Sequence, residues 1–161
     1  METTANAPSS VVIRPQFDSA ARPFETITDE QWEAAWELPL RTTIAAMQQA
    51  FHDGVRRIVV VLPTTAMSGG AQYAHLAAAA EGVRLLVKSA ARQWGADGVT
   101  VNAVALQPAA FLIDPHVAGP ISLAPPALPT RDPAALIEFL CSEAGGDVTG
   151  QTIVVDGGVW M

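Results

Sequence analysis

The chain has 161 residues, half of them hydrophobic, and a net charge of -7 from nine basic and sixteen acidic side chains. That length suits one domain with a real core, and that hydrophobic content argues against a disordered chain. The acidic balance argues against nucleic acid or an anionic membrane as partner, and the single Cys141 cannot close an internal disulfide, which fits a reducing cytoplasm.

Residues 1–10 are polar, with neither the basic start nor the apolar centre of a signal peptide, and are expected to be a mobile tail. Val11-Val12-Ile13 reads as a short strand, and residues 14–27, with Pro15 and Pro23, as a loop. Thr28-Asp29-Glu30-Gln31 has the pattern of a capping box, so a long helix is expected to start there and run to about Asp53, with Gly54 supplying a left-handed exit. Trp32, Trp36, Leu40, Ile44, Met47 and Phe51 are its apolar side, and Pro39 should kink it, because proline has no amide to bond back to Ala35.

Ile58-Val59-Val60-Val61-Leu62 is an unbroken, mostly β-branched run, as expected of a strand buried on both faces of a parallel sheet. Helix formers fill residues 70–94, where Val83, Leu86, Val87, Ala90, Ala91 and Trp94 form an apolar stripe and Gly95 is the stop. Residues 99–105 are the next strand, so this stretch is strand, crossover helix, parallel strand. Residues 106–130 hold six prolines without periodicity and read as an irregular loop. Asp132-Pro133 caps a last helix that turns Leu136, Ile137 and Leu140 inward and is closed by Gly145-Gly146, before a final strand, Thr152-Ile153-Val154-Val155. The fold class is α/β: four parallel strands alternating with three main helices, with residues 11–161 as one unit.

Three segments carry a resemblance. Residues 149–158, Thr-Gly-Gln-Thr-Ile-Val-Val-Asp-Gly-Gly, resemble the C-terminal signature of the short-chain dehydrogenase/reductases. Val101-Asn102-Ala103-Val104-Ala105 resembles their penultimate-strand motif, and residues 27–32 resemble the start of their fourth helix. The resemblance covers the second half of a typical member and implies the C-terminal half of a Rossmann-like, doubly wound sheet.

The family cradles a dinucleotide's pyrophosphate in a glycine-rich turn after its first strand, which this resemblance does not reach. Arg14-Pro15-Gln16-Phe17 stands where the family has Asn-Asn-Ala-Gly. Counting back from Asn102, the family's acid/base tyrosine falls on Leu76 and its lysine on Ala80. Its substrate-orienting serine falls on Pro63 or, with a slip of one, on Thr64; its helix asparagine falls on Pro39, and its Pro-Gly after the penultimate strand on Leu106-Gln107. Leucine and alanine cannot do general acid/base work. The resemblance therefore implies a truncated, catalytically degenerate homologue with no cofactor of its own.

Two functions are open on these residues. The first is a non-catalytic subunit that associates with a full-length family member or with itself. In the family, the helix opened by Thr28 and the helix ending at Trp94 pack on a partner subunit, which assigns Trp36, Val83, Val87, Trp94 and the near-terminal Trp160 to interfaces. The second is a cofactor-independent isomerase, lyase or cyclase using His75, Asp114 and His116, the acid/base groups left near the old substrate pocket. For each of those residues a bland alternative stands beside the catalytic one: a helix-surface position for His75, and capping or solvation for Asp114 and His116. A binding module for an apolar small molecule is a further possibility. No metal-ligand spacing is present.

Overall fold

The computed structural model describes residues 9–119 and 131–159. A four-stranded, wholly parallel sheet runs in the order β1 (Ser10–Ile13), β2 (Arg57–Pro63), β3 (Thr100–Leu106), β4 (Thr152–Val155). The helices are α1 (Asp29–His52), α2 (Thr65–Ser68), α3 (Ala74–Trp94) and α4 (Ala134–Cys141). The α/β expectation holds, and so do the strand positions to within a residue or so at each end. The expected mobile tail lies almost wholly outside the described residues, and Ser10 already belongs to β1.

Alternation along β2 and β3 sorts the core into two faces. Ile58, Val60, Leu62, Val101, Ala103 and Ala105 pack with α1 and α3 through Met47, Ala50, Ala80, Val83 and Val87. Val59, Val61 and Val104 face the other way, onto Ile137 and Leu140 of α4. Strands buried on both sides need this continuous apolar sequence. The strand order keeps stepping in one direction while α4 lies on the face opposite α1 and α3, so the third crossover has the opposite hand to the first two.

The capping box forms as expected: Thr28 Oγ1 accepts from the Gln31 amide at 3.2 Å, and Gln31 Oε1 accepts from the Thr28 amide at 3.1 Å. The inward stripe of α1 is Ala35, Pro39, Thr43, Met47 and Ala50: Met47 is inward as expected and Leu40 and Phe51 pack on the core from its edge, whereas Trp32, Trp36 and Ile44 are exposed. Trp32 and Trp36 stack on each other at its flank, with ring centroids 6.4 Å apart and nearly parallel planes. Small inward residues let α1 lie close, and Gly82 on α3 serves the same end: a Cβ there would meet Leu40 Cδ2 at 3.1 Å and Trp36 at 3.3 Å. Pro39 is buried inside the helix, where Thr43 Oγ1 donates to its carbonyl at 2.6 Å.

The expected helix over residues 70–94 begins at Ala74 instead. A short α2 precedes it, then a break in which Gly69 and the non-glycine Gln72 both take positive φ, 72° and 59°. The loop after β3 contains two 3-10 turns, Pro108–Ala110 and Pro115–Ala118, and residues 120–130 lie outside the described residues. At α4 the Asp132 carboxylate accepts from the Ala134 amide at 2.9 Å, as a cap should, while the helix ends at Cys141 and passes into a 3-10 turn at Glu143–Gly145.

Asn102, buried in β3, fixes the last crossover. Its Nδ2 donates to the Val148 carbonyl at 2.7 Å and its Oδ1 accepts from the Gln151 amide at 3.1 Å. Asn102→Leu keeps the branched shape but strands both backbone groups, and is expected to cost about 2 kcal/mol or more in urea unfolding.

Candidate functional site: the crevice at the strand carboxyl ends

In open α/β sheets ligands sit outside the carboxyl ends of the strands. Here that region holds a crevice of about 310 Å³ lined by Arg14, Pro15, Gln16, Phe17 and Ser19 after β1, Val61 of β2, Leu106 closing β3, and Ala110 and Phe111 beyond it. Two loops meet across it. Phe17 and Phe111 pack edge to face at 6.4 Å, and the Ile113 amide donates to the Ser19 carbonyl at 3.1 Å.

Behind the wall lies a second row of polar groups. The Thr64 amide donates to the Leu106 carbonyl at 2.8 Å, and the hydroxyls of Thr64 and Thr65 are buried with no partner in the structure. Neither threonine is among the residues that line the crevice. Tyr73 is partnered: its hydroxyl donates to the Asp114 carbonyl at 3.1 Å and accepts from the Asp114 amide at 3.2 Å, tying the loop after β3 to the start of α3.

His75 corrects one expectation. It is buried, not on the helix surface, because residues 14–22 fold back over it. Its Nε2 lies 3.9 Å from Asp18 Oδ2, too far for a hydrogen bond, and neither ring nitrogen has a partner. Asp18 in turn accepts from the Ala20 amide at 3.1 Å and from Arg22 Nε at 2.9 Å, and the Arg22 amide donates to the Gln72 carbonyl at 2.7 Å.

Asp114 and His116 do not join His75. Both are exposed, and the Asp114 carboxylate accepts from the His116 amide at 3.2 Å, capping its own turn. No hydrogen bond or ion pair links either residue to His75 among the described residues, and the Asp114 contact is the capping alternative that stood beside the catalytic reading. No metal-holding cluster of His, Cys, Asp and Glu is found among the described residues.

Burial draws the His75 pKa below the usual imidazole value, and nearby Asp18 offsets this only in part. Burial also pushes Asp18 upward, but the Ala20 amide and Arg22 outweigh it and leave that carboxyl below its ordinary range. An unfolded His75 takes up a proton near pH 6.5, whereas the folded one resists until lower pH, so its contribution is complete above 6.5 and is lost as the pH falls below that value. The urea midpoint is expected to fall between pH 7.5 and 5.5, and His75→Leu should remove most of that slope.

The interface assignments divide. Val83 and Val87 are 0% exposed and belong to the core between α3 and the sheet, so they cannot form an outer face. Trp94 stacks on Phe51 of the same chain at 4.8 Å. Trp36 is 36% exposed, and Trp160 lies outside the described residues.

Comparison with known proteins agrees with the sheet and its motifs. Residues 10–160 match the family described as Enoyl-(Acyl carrier protein) reductase. The chain belongs to the short-chain dehydrogenase/reductase family. A probable 2,4-dienoyl-CoA reductase of Bacillus subtilis is 30% identical over 155 residues, covering 86% of this chain and 61% of the relative. A 7alpha-hydroxysteroid dehydrogenase of Bacteroides fragilis is 34% identical, with 84% and 57% covered. The FabG 3-oxoacyl-(acyl-carrier-protein) reductase of Salmonella typhimurium is 29% identical, with 83% and 59% covered. The chain thus spans about three-fifths of the length of these relatives. A short-chain type dehydrogenase/reductase from Mycobacterium ulcerans superposes with a TM-score of 0.79 at 24% identity, covering 93% of this chain and 59% of the other, which shows the shared fold.

These relatives correct the functional expectation. They are named as reductases and a dehydrogenase, none as a structural or regulatory subunit and none as an isomerase, lyase or cyclase, so the non-catalytic partner role and its alternative lose their support. No helix among the described residues is long and apolar enough to cross a membrane.

Proposed function

We propose that the chain carries the substrate side of a reductase-class reaction: its crevice holds a small, largely apolar ketone or acyl compound at the carboxyl ends of β1–β3. The observation that carries this reading is the crevice itself, walled by Phe17, Val61, Leu106 and Phe111. Thr64 stands at the family's substrate-orienting position with a slip of one, while the polar side chains that line the crevice itself are those of Arg14, Gln16 and Ser19. The names of the relatives, reductases of acyl compounds and a steroid dehydrogenase, point to the same substrate chemistry.

The reading assigns this chain binding and orientation, and no proton transfer at position 76. Leu76 and Ala80, where the family has its tyrosine and lysine, are fully buried in apolar surroundings. Pro15 offers no amide in the loop after β1. The described residues therefore do not fit the nicotinamide end of a dinucleotide, and no step is routed through one.

Thermal unfolding with 2-octanone tests the reading. A ligand that binds only the folded chain raises the midpoint with concentration. A dose-dependent rise that Phe111→Ala diminishes is expected; no rise at millimolar ketone would contradict the proposal.

A further inference from the structure

The crevice has one charged lining residue, Arg14. Most other arginines are committed: Arg22 to Asp18, Arg41 to Glu37, Arg84 to Glu81, and Arg56 and Arg57 to backbone carbonyls. Arg14 has neither an ion pair nor a side-chain hydrogen bond among the described residues. The apolar walls beside it belong to Pro15, Phe17, Val61, Leu106 and Phe111. In a chain of net charge -7 an unpaired, exposed arginine lining a crevice of mixed polar and apolar character is a local reversal of sign.

We propose that the crevice selects an apolar monocarboxylate, its carboxylate on the Arg14 guanidinium and its hydrocarbon body against the Phe17 and Phe111 wall. A guanidinium fork matches a carboxylate with two parallel N–H donors. The lining favours a carboxylate over a phosphate group: a dianion calls for more donors, yet no second cation lines the crevice and Pro15 gives no amide. The volume, about 310 Å³, lies at the lower end of small-molecule sites and suits a medium-chain or single-ring acid. This inference rests on the crevice being the ligand site, and it narrows the substrate from a ketone or acyl compound to one that also carries an acid group.

Calorimetric titration of the intact chain with octanoate, octanamide, octyl phosphate and 2-octanone separates the possibilities. Octanoate is expected to bind at least tenfold more tightly than octanamide, with the preference shrinking as salt is raised. Arg14→Gln, at an exposed position and checked for native circular dichroism, should abolish that preference, with octanamide and 2-octanone as the uncharged references. Equal affinity for acid and amide, or a preference that survives Arg14→Gln, would overturn the inference and leave the crevice reading standing. Tighter binding of octyl phosphate than of octanoate would overturn the choice of carboxylate. Binding of none of the four would overturn both readings.

Discussion

Val83→Glu together with Val87→Glu is expected to leave no folded protein. Both valines are 0% exposed and pack against the sheet strands from α3, in the same cluster as Ile58, Val60, Leu62 and Ala103. The side chains packed around them there are apolar, so each carboxylate would be buried or would have to take up a proton, at a cost of several kcal/mol apiece. Two such changes approach the whole stability of an ordinary domain, roughly 5–15 kcal/mol. If these valines instead formed an outer contact face, the double variant would stay folded and merely lose a partner. Leu85→Glu, on the same helix but 51% exposed, separates the two cases. The expected result is insoluble double variant and soluble, native Leu85→Glu, read from soluble yield and near-ultraviolet circular dichroism.

Leu76→Tyr with Ala80→Lys, the change that restores the family's pair on paper, is expected to fail for a related reason. Leu76 packs with Tyr73, Leu112 and Ala118, and Ala80 belongs to the main core; both are fully buried. A larger ring at 76 overpacks the site by about 1–3 kcal/mol. An ammonium group at 80 has no partner there and must give up its proton or open the core, with its pKa lowered by as much as 3–5 units. Leu76→Tyr alone should fold with a melting point several degrees lower, whereas the double variant should populate unfolded chain at room temperature. A folded double variant with an unshifted lysine would show that the crevice reaches deeper along α3 than the structure has it.

Much of the fold was legible because local chemistry and global packing agree. The β-branched run from Ile58, the Thr28/Gln31 capping box and the Gly54 exit each specify one backbone outcome, and the structure adopts all three. The inward face of α1 was misread in part because Trp32, Trp36 and Ile44 outweigh Ala35, Pro39 and Thr43 in apolarity, whereas close helix approach favours the smaller set. The start of α3 was placed early, although Gly69-Gly70 carries a break signal and the positive φ of Gln72 completes it.

The site was less legible. Nothing near His75 in sequence shows that Asp18, more than fifty positions away, will cover it; that depends on how residues 14–22 fold back after β1. Asp114 and His116 left catalysis and capping both open in the sequence; two positions apart, a carboxylate readily reaches the backbone of its own turn, and it does. Arg14 was noted only as a departure from a family motif. Its value as a lone cation appears once Phe17, Leu106 and Phe111 are seen around it.

The most direct measurement is backbone-amide chemical-shift mapping of the intact chain as 2-octanone is added. The account predicts changes clustered at Gln16, Phe17, Ser19, Ala110 and Phe111, reaching Thr64 behind them. Shifts confined to the outer flank of α1 around Trp32 and Trp36, or none at saturating ketone, would contradict it.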